Sequence, residues 1–381
     1  MAPLGANQDA KTTNGSGELL GETAAMENHP APLTAGNMFA RLAGIGVLLL
    51  GVVGAFLYLG GWFSPQKLTP ARFVDEFERV GGTHSGFRRN HAKGVCVRGF
   101  FDSNGQGARL SKAVVFQSGR VPVIGRFSLG GGDPHTTDEL STVRGLGLQF
   151  SLPGEQWRTA MIDLPVFPFK DPQAFYDNLV ASQRDPNTHQ PDPAKAGAFL
   201  ASHPETSRAL VIIKSHAPSS GFDNTAYYGL NAFRFVNADG GSTYVRWTLV
   251  PVQPYEAGTR ASQDKNFLFD GLIASIQQHP LQWHLVMTVA QSGDPTDNAT
   301  IQWPEGRQQV DVGTLTLDSV ESEESSPARD INFDPLVLPA GMAPSNDPLL
   351  SARSAIYSQS FTRRAGETKE PSEITPSKVR K

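Results

Sequence analysis

The chain has 381 residues, a formal net charge of −4 and a single cysteine, Cys96. One cysteine excludes a disulfide within the chain and leaves no thiolate set for a zinc or iron–sulfur centre. The mildly acidic balance argues against a nucleic-acid partner, and a hydrophobic content of 39% is enough to core one large domain or two ordinary ones.

Residues 1–41 are rich in Gly, Ala, Asn, Thr and Pro and show no periodicity, which reads as a disordered tail. From Leu42 to Gln66 there is no charged residue, and 42–63 is long and apolar enough for a single transmembrane helix. Tyr58 and Trp62 suit an interfacial aromatic belt. No A-x-A cleavage site follows the run, so it is read as an uncleaved anchor rather than a leader. Lys67, Arg72 and Arg79 outnumber Arg41 across the segment, a local count that favours a cytoplasmic domain, although the rule weakens for long translocated domains.

The stretch 64–82 predicts a short amphipathic helix with Phe73, Val74 and Phe77 on one side, closed by Gly81 and Gly82. Strand-like runs follow: KGVCVRGFF, SKAVVFQSG, VPVIGRFSL, GLGLQFSL and QWRTAMIDLPVF, separated by Gly, Pro, Asp and Asn. Helices are predicted over 172–183, 193–202 and 204–216. Strands return in YGLNAFRFVNADGGSTYVRWTLVP, with ADGG as a hairpin turn. Residues 264–278 read as helix, WHLVMTVAQ and VDVGTLTLDSV as strands, and DPLLSARSAIYSQSFTRRAG as a last helix ending at Gly366. The final polar segment, 367–381, reads as a disordered tail. The class is α+β, a large antiparallel β-barrel with surrounding helices, preceded by one transmembrane helix.

Two stretches carry chemistry. On the last helix Arg353, Tyr357 and Arg364 fall within roughly 40° of one another at about 100° per residue, so a phenol sits between two guanidiniums on one face. An arginine one turn away favours the phenolate, and an iron(III) on its oxygen favours it far more. The second stretch, FRRNHAKG, places His91 between two arginines and a strand. No other histidine pairs with a partner at i+3 or i+4 alongside a carboxylate, so a metal triad is unsupported. Cys96, mid-strand, reads as a small core residue.

These stretches carry a resemblance to the monofunctional haem catalases. RSAIY resembles the haem-ligand signature of that family, and FRRNHAKG its distal-histidine segment. GRFSLGGG, PVFPFKDPQAF, SQRDPNTH and INFDPLVLPAGMAPSNDPLLSAR resemble further blocks, in the family's order over about 70–366. The chain resembles the membrane-anchored, catalase-related peroxidases or mini-catalases, so 64–366 would be the haem domain. The resemblance implies haem b as cofactor, Tyr357 as proximal ligand and Arg353 as the partner of its phenolate. It implies His91 as the distal acid–base, oriented by Ser128. Arg88, Arg126 and Arg364 would pair with the haem propionates, a task suited to arginine's bidentate fork. It also implies an anchored, periplasmic domain, against the local charge count.

The sequence departs from the family at one position. Where catalases carry a distal asparagine, this chain has Ile162, followed by Asp163. An asparagine can hydrogen-bond peroxide and isoleucine cannot. The expectation is a peroxidase that reduces hydrogen peroxide or organic hydroperoxides with an organic electron donor and has weak catalase activity. Asp163 is the candidate to take over the polar role. Two alternatives are a fatty-acid hydroperoxide isomerase or lyase on the same scaffold and a non-enzymatic haem carrier. A homo-oligomer is compatible with the sequence.

Overall fold

The first ordered element is built by a cap and an uninterrupted apolar run. Helix α1 spans Ala35–Leu59, and the Thr34 hydroxyl accepts from the Asn37 backbone N–H at 3.4 Å. The structure, a computed structural model, describes residues 34–60, 62, 68–185, 188, 190–259 and 263–378. The helix begins at Ala35 rather than at residue 42, because Thr34 supplies the N-cap and the polar residues Asn37 and Arg41 sit among exposed positions. Residues 35–41 are therefore helical and not part of a tail; the rest of that expected tail, 1–33, lies outside the described residues, as do 61 and 63 at the expected end of the span. No residue of α1 is buried, and it is long and apolar enough to cross a membrane, a property that leader sequences share. The chain divides after Lys67, and the second unit begins at Leu68.

In the second unit eight antiparallel strands close on themselves. They are β1 (Gly94–Ser103), β2 (Gly119–Leu129), β3 (Arg144–Leu152), β4 (Glu155–Ile162), β5 (Tyr227–Tyr228), β7 (Ser242–Pro251), β8 (Leu281–Val289) and β9 (Gln309–Glu321). The ring runs β7–β5–β4–β3–β2–β1–β9–β8, and β8 pairs back onto β7. Two short strands, β6 (Phe233–Val236) and β10 (Met342–Pro344), extend the sheet beyond β7. The expected α+β barrel is thus the fold observed.

Strand alternation divides the side chains. On β2, Val121, Val123, Phe127 and Leu129 enter the barrel core, whereas Arg126 and Ser128 take the other face. Phe150 stacks on Trp157 and Phe233 on Trp247, each at 4.5 Å between ring centroids, and Trp157 meets Trp247 edge-on. The segment SKAVVFQSG is not a strand. Val114–Phe116 forms a single 3₁₀ turn, with Phe116 packed at 5.8 Å from Trp157 and 5.5 Å from Phe235. Its β-branched pair looked strand-like, but Phe116 is a plug for the core rather than a rung of the sheet.

Three capped helices cover part of the outer face. Helix α2 (Pro70–Gly81) begins at the Thr69 cap, α3 (Pro172–Ala181) at Asp171, and α7 (Pro348–Ala365) at Asp347. Each carries proline at the first helical position, where no backbone N–H is needed. Phe73 and Phe77 of α2 pack against Phe175 of α3 at 5.3 and 5.8 Å. Helices α4 (Pro193–Ser202), α5 (Pro204–Lys214) and α6 (Phe267–Gln278) complete the unit.

The segment after α7 differs from the expected loose tail. Over the described residues 367–378, Ile374 is buried and Glu373 pairs with Lys265 and His135. Glu367 accepts the Gly86 N–H at 2.8 Å and pairs with the buried Arg89, which also donates to Glu78 at 2.6 Å. The charges of this polar segment find fixed partners on the domain, so it is laid down rather than free.

Candidate active site

The sheet register builds one wall of a cavity. Gly94, Ser128, Gly145, Ile162 and Tyr228 lie in a single row across β1, β2, β3, β4 and β5. Two residues along, Cys96, Arg126, Gly147 and Ala160 form the next row of the same four-strand sequence β1–β4. Glycine is required where larger groups must approach. A Cβ on Gly145 would stand 2.9 Å from His91 Nδ1, one on Gly147 would stand 2.8 Å from the Phe333 ring, and one on Gly94 would meet the Arg126 guanidinium at 2.3 Å. Between this wall and helices α2, α3 and α7 lies a cavity of ≈ 520 Å³, lined by His91, Tyr357, Arg88, Arg126, Arg353 and Arg364 among others. The seven sequence-predicted residues, Ser128 included, therefore meet in one place.

His91 is held in a sparsely populated backbone conformation, φ 58°. Its Nδ1 lies 3.1 Å from Ser128 Oγ, the residue that the family resemblance implies as its partner. Burial, and then the charges of Arg126, Arg88 and Arg353, push its pKa down from 6.5 to about 4. At neutral pH the ring is uncharged, the state in which imidazole can take up a proton.

On α7, Arg353 donates to the Tyr357 hydroxyl at 3.5 Å, to Asn231 Oδ1 at 2.6 Å and to the Ala160 carbonyl at 2.7 Å. Asn231 in turn donates to Asp347 at 2.8 Å, and Asp347 accepts the Leu349 N–H as the helix cap. One chain of hydrogen bonds thus fixes the start of α7 and the arginine beside the phenol. Leu230, with φ 63°, turns the backbone so that Asn231 reaches inward.

Two arginines converge on one buried carboxylate, and a third stands beside them. Arg126 pairs with Glu323 at 2.6 Å and Arg88 lies 3.7 Å from the same group, while Arg364 lies 3.7 Å from the half-exposed Asp330. Burial and the neighbouring Arg126 and Arg364 charges hold the Arg88 pKa well below its ordinary value, and burial followed by Arg126 lowers that of Arg364 to about 10. Cations depressed in this way gain from a bound anion. Arg88 otherwise donates to the Ala328 and Ile331 carbonyls and Arg364 to that of Arg329.

Ile162 lines the cavity, as does Leu164, but Asp163 does not. Its Oδ1 accepts the Arg144 N–H at 3.0 Å, and burial raises its pKa to about 6. The strand period turns Asp163 away from the face that Ile162 occupies, so it does not replace a polar group there. The rest of that side is apolar, with Phe167, Phe169, Phe175, Phe73 and Phe77.

Sequence reasoning missed Asn90, Asn231, Asp347 and Glu323. Asp347 before Pro348 is a legible cap signal. Asn231 and Glu323 are distant from their partners in the chain, and Glu323 sits in an acidic run that reads as a solvated surface.

A family model described as Catalase matches residues 65–375. The chain is 39% identical to a catalase-related peroxidase of Synechococcus elongatus over 306 residues, covering 79% of this chain and 90% of that protein. It is 32% identical to a catalase-related peroxidase of Mycolicibacterium paratuberculosis over 305 residues, 78% of this chain and 96% of that one. Among solved structures it is similar to catalase A from Saccharomyces cerevisiae, with a TM-score of 0.68 at 20% identity over 74% of this chain and 62% of that chain.

Proposed function

The chain belongs to the catalase family and is an oxidoreductase acting on peroxide, and from that premise we propose that it is a haem b peroxidase that reduces hydrogen peroxide or organic hydroperoxides with an organic donor and evolves little oxygen. The family implies haem, and the residues fit it. Three neighbouring arginines, Arg126 and Arg364 buried and Arg88 largely so, outnumber the one buried carboxylate among them and call for anionic groups, a glycine-cleared wall offers space, and a phenol beside an arginine faces the same cavity. In this reading Tyr357 is the iron ligand, Arg353 stabilises its phenolate, and Arg88, Arg364 and the remaining N–H groups of Arg126 bind the propionates. When bound, haem supplies the iron centre that accepts oxidising equivalents from peroxide. His91, with Nδ1–H donating to Ser128 Oγ, keeps a free lone pair on Nε2. That nitrogen takes the proton from one peroxide oxygen and returns it to the other, which then leaves as water or alcohol. The phenylalanines over the cavity exclude water and accommodate an apolar substituent on the peroxide.

The observation that carries the peroxidase assignment is Ile162 on the cavity wall with Asp163 turned away. A missing amide hydrogen bond of about 1–3 kcal/mol corresponds to roughly a tenfold to hundredfold loss in rate. The loss falls on the ordered binding of a second peroxide, the step that releases oxygen. Helix α1 serves as a single-pass anchor in this reading, with the domain on the periplasmic side. The test is oxygen evolution per bound haem alongside oxidation of a phenolic donor, in the full chain. Slow oxygen release with fast donor oxidation is expected, and Ile162→Asn should shift the ratio toward oxygen. Vigorous oxygen release by the unaltered protein would overturn the peroxidase assignment.

A further inference from the structure

His91 holds a positive φ without being glycine or asparagine, a conformation that persists only where surrounding contacts over-determine it. Those contacts are complete. The His91 N–H donates to Asn90 Oδ1 at 3.0 Å, and the same oxygen accepts the Gly131 N–H at 2.8 Å. The Ala92 N–H donates to the Gly131 carbonyl at 3.0 Å. The two carbonyls that remain, of His91 and Ala92, are both taken by Arg126, through Nη1 at 2.9 Å and Nη2 at 2.8 Å. Its Nε donates to Glu323 at 2.6 Å. Arg126 and Glu323 are both buried, so this carboxylate fixes the plane of the fork as well as balancing its charge. The guanidinium lies where a Cβ on Gly94 would be, so the glycine that opens β1 is what lets the fork reach the loop.

We propose that Arg126, aligned by Glu323, is a positioning residue that clamps the backbone of His91 and Ala92 and so sets where the His91 ring stands over the reacting peroxide. This goes beyond charge pairing with the cofactor's carboxylates, which uses different N–H groups of the same side chain, and it rests on the peroxidase reading above. A lysine at 126 retains the charge and cannot hold two adjacent carbonyls and a carboxylate in one plane.

The experiment compares four full-length proteins loaded with haem: the unaltered chain, Arg126→Lys, His91→Ala and the double variant. First-turnover peroxide consumption per bound haem and the rate of haem transfer to apomyoglobin are measured for each. Arg126→Lys should slow peroxide consumption per haem about tenfold or more, the size of effect that a misplaced acid–base group produces, and haem release, measured alongside, accounts separately for any weakened propionate contact. In the His91→Ala background the same substitution should change the rate less than twofold, because a group that acts through His91 has nothing left to position. Equal factors in the two backgrounds would overturn the clamp. So would an unchanged rate per haem in Arg126→Lys, whether or not haem release rises; a rise would leave Arg126 as a carboxylate partner only. Failure of the underlying reading is separately visible: His91→Ala would then consume peroxide as fast as the unaltered chain.

Discussion

Strand β2 shows two faces of one barrel that obey different rules. Val123 and Phe127 turn inward to a core in which Phe127 also meets Phe222, Tyr227 and Trp283. Arg126 and Ser128, their neighbours in sequence, turn outward to His91 and Glu323. The inner face depends on volume and burial, so side chains of similar shape can replace one another. The outer face depends on particular atoms within hydrogen-bond reach and on glycines that keep space open. Damage to the first should appear as lost stability and damage to the second as lost chemistry.

The largest effect that would test this division is Tyr357→Phe. Removing the phenol oxygen should abolish the ferric absorption spectrum of a tyrosinate ligand and lower peroxidase activity about a hundredfold or more, a loss of at least ~2.7 kcal/mol, while thermal unfolding of the haem-free protein shifts little. A normal spectrum in that variant would remove Tyr357 from the ligand position. The next contrast uses one residue from each face. Gly145→Val would drive a side chain against His91 and Ser128 and should cut the rate per haem by roughly tenfold to a hundredfold. Phe127→Ala should instead destabilise the fold by about 3–5 kcal/mol, with the rate per haem kept in the fraction that remains folded. Denaturant melts and single-turnover kinetics on both variants decide whether the faces separate.

Smaller effects sharpen the outer face. Ser128→Ala removes the partner of His91 Nδ1, a hydrogen bond worth about 1 kcal/mol, so a fivefold loss in rate is the expected order. The pH profile should be broad. His91, lowered to about 4, stays a competent base at pH 5, and the rate should fall only as pH drops through about 4. The sign for stability is that of a depressed pKa. Between the two values the unfolded chain, with the ordinary 6.5, binds more protons at this site than the native one. The contribution is therefore full above 6.5 and is lost as pH falls toward 4. Stopped-flow rates and chemical denaturation across pH 3–7 check both halves.

The division also explains what could be read from the sequence. The alternation in VPVIGRFSL exposed β2, and the spacing of Arg353 and Tyr357 placed both on one face of α7, because each depends on neighbours within a few residues. SKAVVFQSG misled because a β-branched pair carries the same local signal in a strand and in a buried turn. The roles of Asn231 and Glu323 were not legible at all. Asn231 acquires its meaning from Asp347 and Arg353, 116 and 122 residues away, and Glu323 from Arg126, 197 residues away. Asp163 looked like a substitute polar group until the register placed Ile162, and not its neighbour, on the cavity side.

The grip of Glu367 on Arg89 has a consequence for synthesis. Arg89 lies two residues before His91, and the acid that completes its neutralisation is made 278 residues later. A ribosome delivers the histidine loop first and this counter-ion only after Arg353 and Tyr357. Until then Glu78, 11 residues upstream, is its acidic partner among the described residues. Contacts of such long range form slowly and late. The contact can close only once Arg353 and Tyr357 have been made, so the second counter-ion of the histidine loop comes from beyond the helix that carries the phenol.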